Sequence, residues 1–141
     1  MIRPYRETDL GELLEAWYAA SLVGHPFLDE EFFRRERNRI REVYLPKAET
    51  WVFEQDGVVV GFISLIENEV GAIFVDSNYQ GRGIGRALMD HARSIRDLLE
   101  LDVFKDNKVG REFYEKCGFH LVKEHLHEET GFMQLRLRLI R

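Results

Sequence analysis

The chain has 141 residues and a formal net charge of −5, with 45% apolar and 32% charged residues. This composition is typical of a folded globular domain and excludes disordered or collagen-like chains, while the acidic balance argues against general nucleic-acid binding. Cys117 is the one cysteine, so neither an intrachain disulfide nor a cluster of thiolate metal ligands can form. The start of the chain has no apolar signal core, and no run of about 18 apolar residues occurs. We therefore expect a cytoplasmic protein without membrane association, either monomeric or homodimeric.

The first half of the chain contains a strand, two helices and three strands. A short strand is predicted over residues 1–5, and Asp9 with Glu12 has the spacing of a capping box that opens a helix. A second helix is predicted over 29–44, after a break at VGHPFL that contains glycine and proline. Between residues 50 and 75 the β-branched and aromatic runs are interrupted at Asp56-Gly57 and at 67–69. These interruptions predict three consecutive antiparallel strands.

The second half alternates helices and strands. Helical spacing is predicted over 86–99, a strand over 99–104, and a short helix over 109–117 that Gly118 ends. Residues 133–139 alternate leucine or methionine with polar residues, which predicts an edge-like strand. The order β-α-α-β-β-β-α-β-α-β-β indicates one α/β domain over 1–141. Its mixed, mostly antiparallel sheet has about six to seven strands, with helices on both faces.

The sequence QGRGIG at 80–85 places three glycines on alternate positions between a predicted strand and a predicted helix. It fits neither the G-x-G-x-x-G dinucleotide pattern nor a P-loop, which needs Gly-Lys-Ser/Thr. The first turn of a helix has unpaired N–H groups and partial positive charge, so glycines there allow a diphosphate to contact the backbone. Arg82 and Arg86 add positive charge. A glycine-rich turn without a ligand is the alternative.

Residues 75–88, VDSNYQGRGIGRAL, closely resemble motif A of the GCN5-related N-acetyltransferases, with Gln80, Gly83 and Gly85 at its defining positions. The resemblance continues in DVFKDN at 102–107 and FYEKCGF at 113–119. It implies that acetyl-coenzyme A is a co-substrate whose acetyl group moves to a primary amine by direct attack in a ternary complex. The cofactor-binding residues that it implies are Phe74, Val75, Gln80, Gly81, Arg82, Gly83, Ile84, Gly85, Arg86, Asn107 and Tyr114.

The resemblance also implies catalytic roles. Tyr114 corresponds to the family's general acid, and Glu69 to the catalytic glutamate of the histone acetyltransferase branch, with Glu67 and Glu54 as alternates. Deprotonating a lysine-like amine at pH 7 costs about 4.6 kcal/mol, whereas release of a thiolate costs about 2 kcal/mol, so the base matters more than the acid. Asn107 resembles a cofactor-contacting asparagine and is also placed to cap the helix that follows it.

The acceptor site is less well defined by the sequence. The loops that frame the acceptor in this family correspond to His25, Phe27, His127, Glu128 and Glu129. The sequence GHPF is similar to that of small bacterial members that act on protein lysine. Small-amine acetyltransferases for polyamines or aminoglycosides, and a non-catalytic coenzyme-A-binding module, are the alternatives.

Two further groups are expected to have no direct role. Cys117 lies on the apolar stripe of its helix, which favours a buried structural thiol over a nucleophile. The five histidines show no metal-ligand spacing, so no metal is expected.

Overall fold

The computed structural model describes residues 1–141 as one seven-stranded open sheet in the order β1-β2-β3-β4-β5-β7-β6. The strands are β1 Ile2–Pro4, β2 Glu49–Gln55, β3 Val58–Ile66, β4 Glu69–Val75, β5 Leu98–Phe104, β6 His120–Leu126 and β7 Met133–Ile140. The helices are α1 Leu10–Gly24, α2 Glu30–Arg39, the single turn α3 Leu45–Lys47, α4 Ile84–Ile95 and α5 Lys108–Cys117. Only β4 and β5 pair in parallel. The predicted α/β fold with a mostly antiparallel sheet is confirmed.

Helices cover both faces of the sheet, as the element order predicted. Helices α1 and α2 pack on one face over a cluster that includes Phe62 and Phe104. Helices α4 and α5 pack on the other face over a cluster that includes Leu88, Leu101 and Leu137. Strands β5 and β7 turn alternate leucines toward α4 and α5. Their opposite face carries polar side chains such as Asp102 and Arg136, together with Phe104, which packs in the α1/α2 cluster.

The sheet splits between β4 and β5. The two strands are in register only at Glu69 and Glu100, near their N-terminal ends. Pairing of β3 with β4 passes from Leu65–Val70 to Ser64–Ala72, which leaves Gly71 as a bulged residue. Bulges of this kind bend a strand and often lie beside active sites. The C-terminal ends of β4 and β5 thus border a cleft of about 780 Å³.

The Asp9–Glu12 capping box predicted from the sequence is wrong. The Asp9 carboxylate instead accepts hydrogen bonds from the Arg3 guanidinium at 2.8 and 2.9 Å and from the Arg6 N–H. The Glu12 carboxylate accepts from the Val59 N–H of β3. Neither carboxylate therefore caps α1, although α1 does begin at Leu10.

The ends of two helices and the place of one strand in the sheet also differ from the sequence prediction. Helix α4 ends at Ile95, and the leucines assigned to its end form the start of β5, where Leu99 pairs with Leu139. Helix α2 ends at Arg39 and continues as a π-helical turn, Ile40–Tyr44. Strand β7 was expected to be edge-like, but it pairs with β5 on one side and β6 on the other, and its alternation separates a core face from a polar face. No helix combines the length and apolar character needed to span a bilayer.

Candidate active site

The glycine loop leads from the end of β4 into α4. Gly81 has φ of 78° and Gly83, the N-cap of α4, has φ of 83°, a conformation that strains any residue with a Cβ. A Cβ added at either glycine would meet no atom within 4 Å, so the backbone there is open on its outer side. The Gln80 side chain donates a hydrogen bond to the Val75 carbonyl at 3.0 Å and holds the loop against β4. The loop therefore presents accessible backbone at the N-terminus of α4.

The other predicted members of the motif have distinct surroundings. A Cβ at Gly85 would meet the Phe113 ring at 3.2 Å, so this glycine permits α4 and α5 to approach each other. The Arg86 guanidinium contacts Asp90 and the Lys116 carbonyl, each at 3.2 Å. Arg82 lies over the Tyr79 ring, 5.2 Å from its centroid. Arg82 is thus the motif arginine without an ion-pair partner, and Ile84 is buried beneath the loop.

Tyr114 lines the cleft from α5, and the end of that helix fixes its position. Gly118 adopts φ of 100°, its N–H donates to the Glu115 carbonyl, and the Phe119 N–H donates to the Tyr114 carbonyl. This is a Schellman motif, whose usual apolar contact is here made by the Tyr114 and Phe119 rings, 5.7 Å apart. Burial raises the pKa of the Tyr114 phenol well above its ordinary value. The phenol is therefore a proton donor throughout the neutral range.

His25 and Asn107 connect the two sides of the cleft. The Asn107 Oδ1 accepts from the Gly110 N–H at 2.9 Å, so Asn107 is the N-cap of α5, as one of its two expected roles required. Its amide lies 3.3 Å from the His25 Nε2. Since the amide can only donate, the His25 proton is assigned to Nδ1. Burial lowers the pKa of His25 to about 4, so the ring is neutral at pH 7 and is too weak a base for an ammonium group.

Glu69 begins β4 at the closed end of the split. Both of its carboxylate oxygens accept hydrogen bonds from the Arg136 guanidinium, at 2.5 and 2.7 Å. Arg136 also lies 3.3 Å from Asp102 and 3.4 Å from Glu100. Both oxygens are therefore engaged by the guanidinium, and an acceptor amine would have to displace Arg136 to reach either of them. The geometry therefore disfavours Glu69 as the base expected from the sequence.

The predicted acceptor residues are only partly brought together. His25 and His127 line the cleft, whereas Phe27 and Glu128 do not. Phe27 packs behind His25 against Phe104 and Phe132, with ring centroids 5.6 and 5.0 Å away. Glu128 is exposed in the turn between β6 and β7. Fewer of the predicted loop residues therefore line the acceptor side of the cleft than the sequence suggested.

Several residues that line the cleft were not found from the sequence. Among them, Glu36, Arg39 and Tyr44 reach the cleft from α2 and from the π-helical turn. The Arg39 guanidinium bonds both Glu36 and Glu129, each at 3.1 Å, and so joins α2 to the turn between β6 and β7. In the sequence they belong to a run of charged residues typical of a solvated helix face, which concealed them.

Cys117 is 4% exposed and lies in the core under α4. Burial raises the pKa of its thiol, which opposes formation of a nucleophilic thiolate. No three His, Cys, Asp or Glu side chains are grouped as metal ligands would be.

We expect Cys117→Ala to retain acetyl transfer, because the thiol is not exposed to the cleft. Initial rates and the mass of the protein after incubation with acetyl-coenzyme A alone would check this. If wild type forms a stable acetylated protein, and Cys117→Ala abolishes both this form and the activity, then the transfer passes through this thiol instead.

Comparison with known proteins identifies the family of this chain. The family model of the acetyltransferase (GNAT) domain matches residues 46–121. The peptidyl-lysine N-acetyltransferase YiaC of Escherichia coli K12 is 36% identical over 131 residues, which cover 92% of this chain and 90% of YiaC. The solution structure of apo-form YjaB from Escherichia coli superposes with a TM-score of 0.86 at 29% identity, covering 98% of this chain and 95% of YjaB. The structure of PaiA N-acetyltransferase from Thermoplasma acidophilum in complex with coenzyme A has the same fold, with a TM-score of 0.78 at 20% identity and coverage of 100% and 98%. The chain therefore belongs to the GNAT acetyltransferase family and is an acyltransferase.

Proposed function

We propose that this protein transfers the acetyl group of acetyl-coenzyme A to the side-chain amine of a lysine in a protein or peptide. The observation that carries the proposal is the continuity of one cleft, which joins the open backbone at Gly81 and Gly83 to Tyr114 and to the acceptor side at His25. The names of YiaC and of PaiA in its coenzyme A complex support the acceptor and the cofactor, respectively. The acetyltransferase domain is proposed to extend over residues 1–141.

Acetyl-coenzyme A supplies an activated thioester, and the residues of the split sheet position it. The N–H groups from Gly81 to Arg86 hold the pyrophosphate at the N-terminus of α4, with Arg82 as a further positive charge. The pantetheine arm runs between the separated ends of β4 and β5, along Phe74 and Val75. Asn107 fixes the start of α5 on the opposite side.

Direct attack then requires a neutral amine and a stabilised sulfur. The acceptor ammonium loses one proton, and its nitrogen forms a bond to the thioester carbon as the carbon–sulfur bond breaks. Tyr114 donates a hydrogen bond and a proton to the leaving sulfur. The second proton released from nitrogen as the amide forms balances the proton that Tyr114 gives up. Glu69 is proposed to hold Arg136 at the closed end of the split, and it remains the alternative base.

Acetyl-coenzyme A should raise the melting temperature, because it binds the folded state alone. A ligand at 100 times its Kd stabilises by about 2.7 kcal/mol, which corresponds to roughly 8 °C for a domain of this size. NAD should produce no shift. Differential scanning fluorimetry measures both, and equal shifts for the two ligands would contradict the proposed cofactor.

The acceptor is tested by thiol release with lysine peptides, polyamines and aminoglycosides in parallel. We expect the highest kcat/KM for a lysine peptide, with a matched norleucine peptide giving no release. Preference for a polyamine or aminoglycoside would assign the protein to small-amine acetylation. Cofactor binding without release for any amine would identify a non-catalytic module.

A further inference from the structure

An apolar cavity lies on the α1/α2 face of the sheet, beside the cleft. Its volume is about 100 Å³, and apolar side chains, many of them aromatic, from α1, α2, β3, β4 and β5 form most of its wall. The Ser21 hydroxyl lines this cavity, is 1% exposed and has no hydrogen-bond partner. This hydroxyl is one of the few polar groups in a wall that is otherwise mostly apolar.

The size of the cavity suits an aliphatic chain. A cavity of about 150 Å³ admits the six carbons of benzene, so this one has room for about four carbons, as in the side chain of lysine. His25, Glu36 and Tyr44 line both the cavity and the cleft, so the two spaces meet at these residues. An amine at this junction lies beside a carboxylate and faces the cleft that leads to the cofactor.

Glu36 is the carboxylate at the junction, and its bonding differs from that of Glu69. Its side chain is 21% exposed, and one oxygen accepts from Arg39 at 3.1 Å. The other oxygen has no hydrogen-bond partner within the chain. Burial raises the pKa of this carboxyl. Glu36 thus has a free oxygen where Glu69 has none.

We propose that Glu36 is the catalytic base for the acceptor, and that the cavity beside it binds the methylene chain of the acceptor lysine. The inference rests on the proposed acetyl transfer to lysine. In this step the ammonium N–H bond breaks, an O–H bond forms on the free Glu36 oxygen, and the electron pair left on nitrogen attacks the thioester carbon. Glu36 then returns its proton to solvent through the open side of the cleft.

Charged and titratable groups from several elements lie around Glu36. Arg35 and Arg39 on α2 and Glu129 in the turn between β6 and β7 act on its carboxyl. Glu36 and Glu69 both act on Tyr44 of the π-helical turn, and His25 at the end of α1 lines the same cleft. The two arginines lower its pKa, whereas Glu129 and burial raise it, and burial is the largest effect. His25 stays neutral because burial lowers its pKa to about 4. The net effect raises the pKa of Glu36, so we expect the acid limb of the activity profile at a higher pH than an ordinary glutamate would give.

The test compares Glu36→Gln with Glu69→Gln and with Glu31→Gln, a control on the exposed side of α2. For a lysine peptide at pH 7, Glu36→Gln should lower kcat/KM by roughly 100-fold. The deficit should shrink as the pH approaches the amine pKa of about 10.4, where the free amine needs no base. With an aminooxy analogue of the peptide, whose amine is neutral at pH 7, Glu36→Gln should be close to wild type. The Glu31 variant should match wild type throughout.

A readout without substrates is the titration of the labelled Glu36 carboxyl by NMR, which should occur at higher pH than that of Glu31. A deficit in Glu36→Gln that is constant with pH and equal for both peptides would overturn the inference, since it would indicate a structural role. If the pH-dependent deficit appears in Glu69→Gln and not in Glu36→Gln, the base is Glu69. Absence of transfer by wild type to any amine would overturn the proposed function and, with it, this inference.

Discussion

Replacement of Tyr114 by phenylalanine should lower kcat by about 100-fold while the affinity for acetyl-coenzyme A changes little, because the substitution removes one proton donor to the leaving sulfur. Since burial raises the pKa of the phenol, wild type keeps the donor protonated through pH 10, and the deficit should be constant from pH 6 to that limit. Initial-rate measurements with a lysine peptide over this range check the prediction.

The matched control is Tyr79→Phe, which removes a phenol from the glycine loop while keeping the ring under Arg82. It should retain wild-type kcat. A Tyr114→Phe enzyme with full activity would show that solvent protonates the sulfur. A deficit that appears only above pH 8 would mean that the phenol ionises far more easily than its buried position indicates.

Replacement of Gly83 by alanine should weaken acetyl-coenzyme A binding by at least about 10-fold, because the new Cβ points into the open space where the pyrophosphate contacts backbone N–H groups. Alanine at φ of 83° also costs about 1–2 kcal/mol of folding free energy. Isothermal titration calorimetry gives the affinity, and thermal melting gives the stability.

Gly57→Ala separates the two effects. Gly57 has φ of 80° in the β2–β3 turn, and its added Cβ also meets no atom within 4 Å. It should therefore lose similar stability without loss of cofactor affinity. If both variants bind acetyl-coenzyme A like wild type, the pyrophosphate does not lie on the glycine loop.

The parts of the fold that depend on neighbouring residues were predictable from the sequence. Asp56 and Gly57 both adopt positive φ in a tight hairpin turn, as the dipeptide indicates. Gly118 ends α5 in the left-handed conformation for the same local reason. The glycine loop between β4 and α4 was found because the spacing of its glycines is a local feature of the sequence.

The parts of the site that depend on distant contacts were not predictable. Glu69 and Arg136 are 67 residues apart, so nothing near Glu69 in the sequence indicates that its oxygens are occupied. Glu36 lies in a run of charged residues, and only the packing of α2 against the sheet distinguishes it from its exposed neighbour Glu31. Asp9 and Glu12 matched the local pattern of a capping box, but their carboxylates bond instead to Arg3 of β1 and to the Val59 N–H of β3.

Because β4 pairs with β5 at one position only, the sheet consists of two parts. One part contains β1–β4, the other contains β5–β7, and few backbone hydrogen bonds join them. Arg136 of β7 reaches across β5 to Glu69 of β4 and so joins the two parts at the closed end, beside the single backbone pairing. Such weakly joined regions are where proteins open locally. Substitution of Arg136 can therefore alter how far the two parts of the sheet separate, without removing a residue that contacts either substrate.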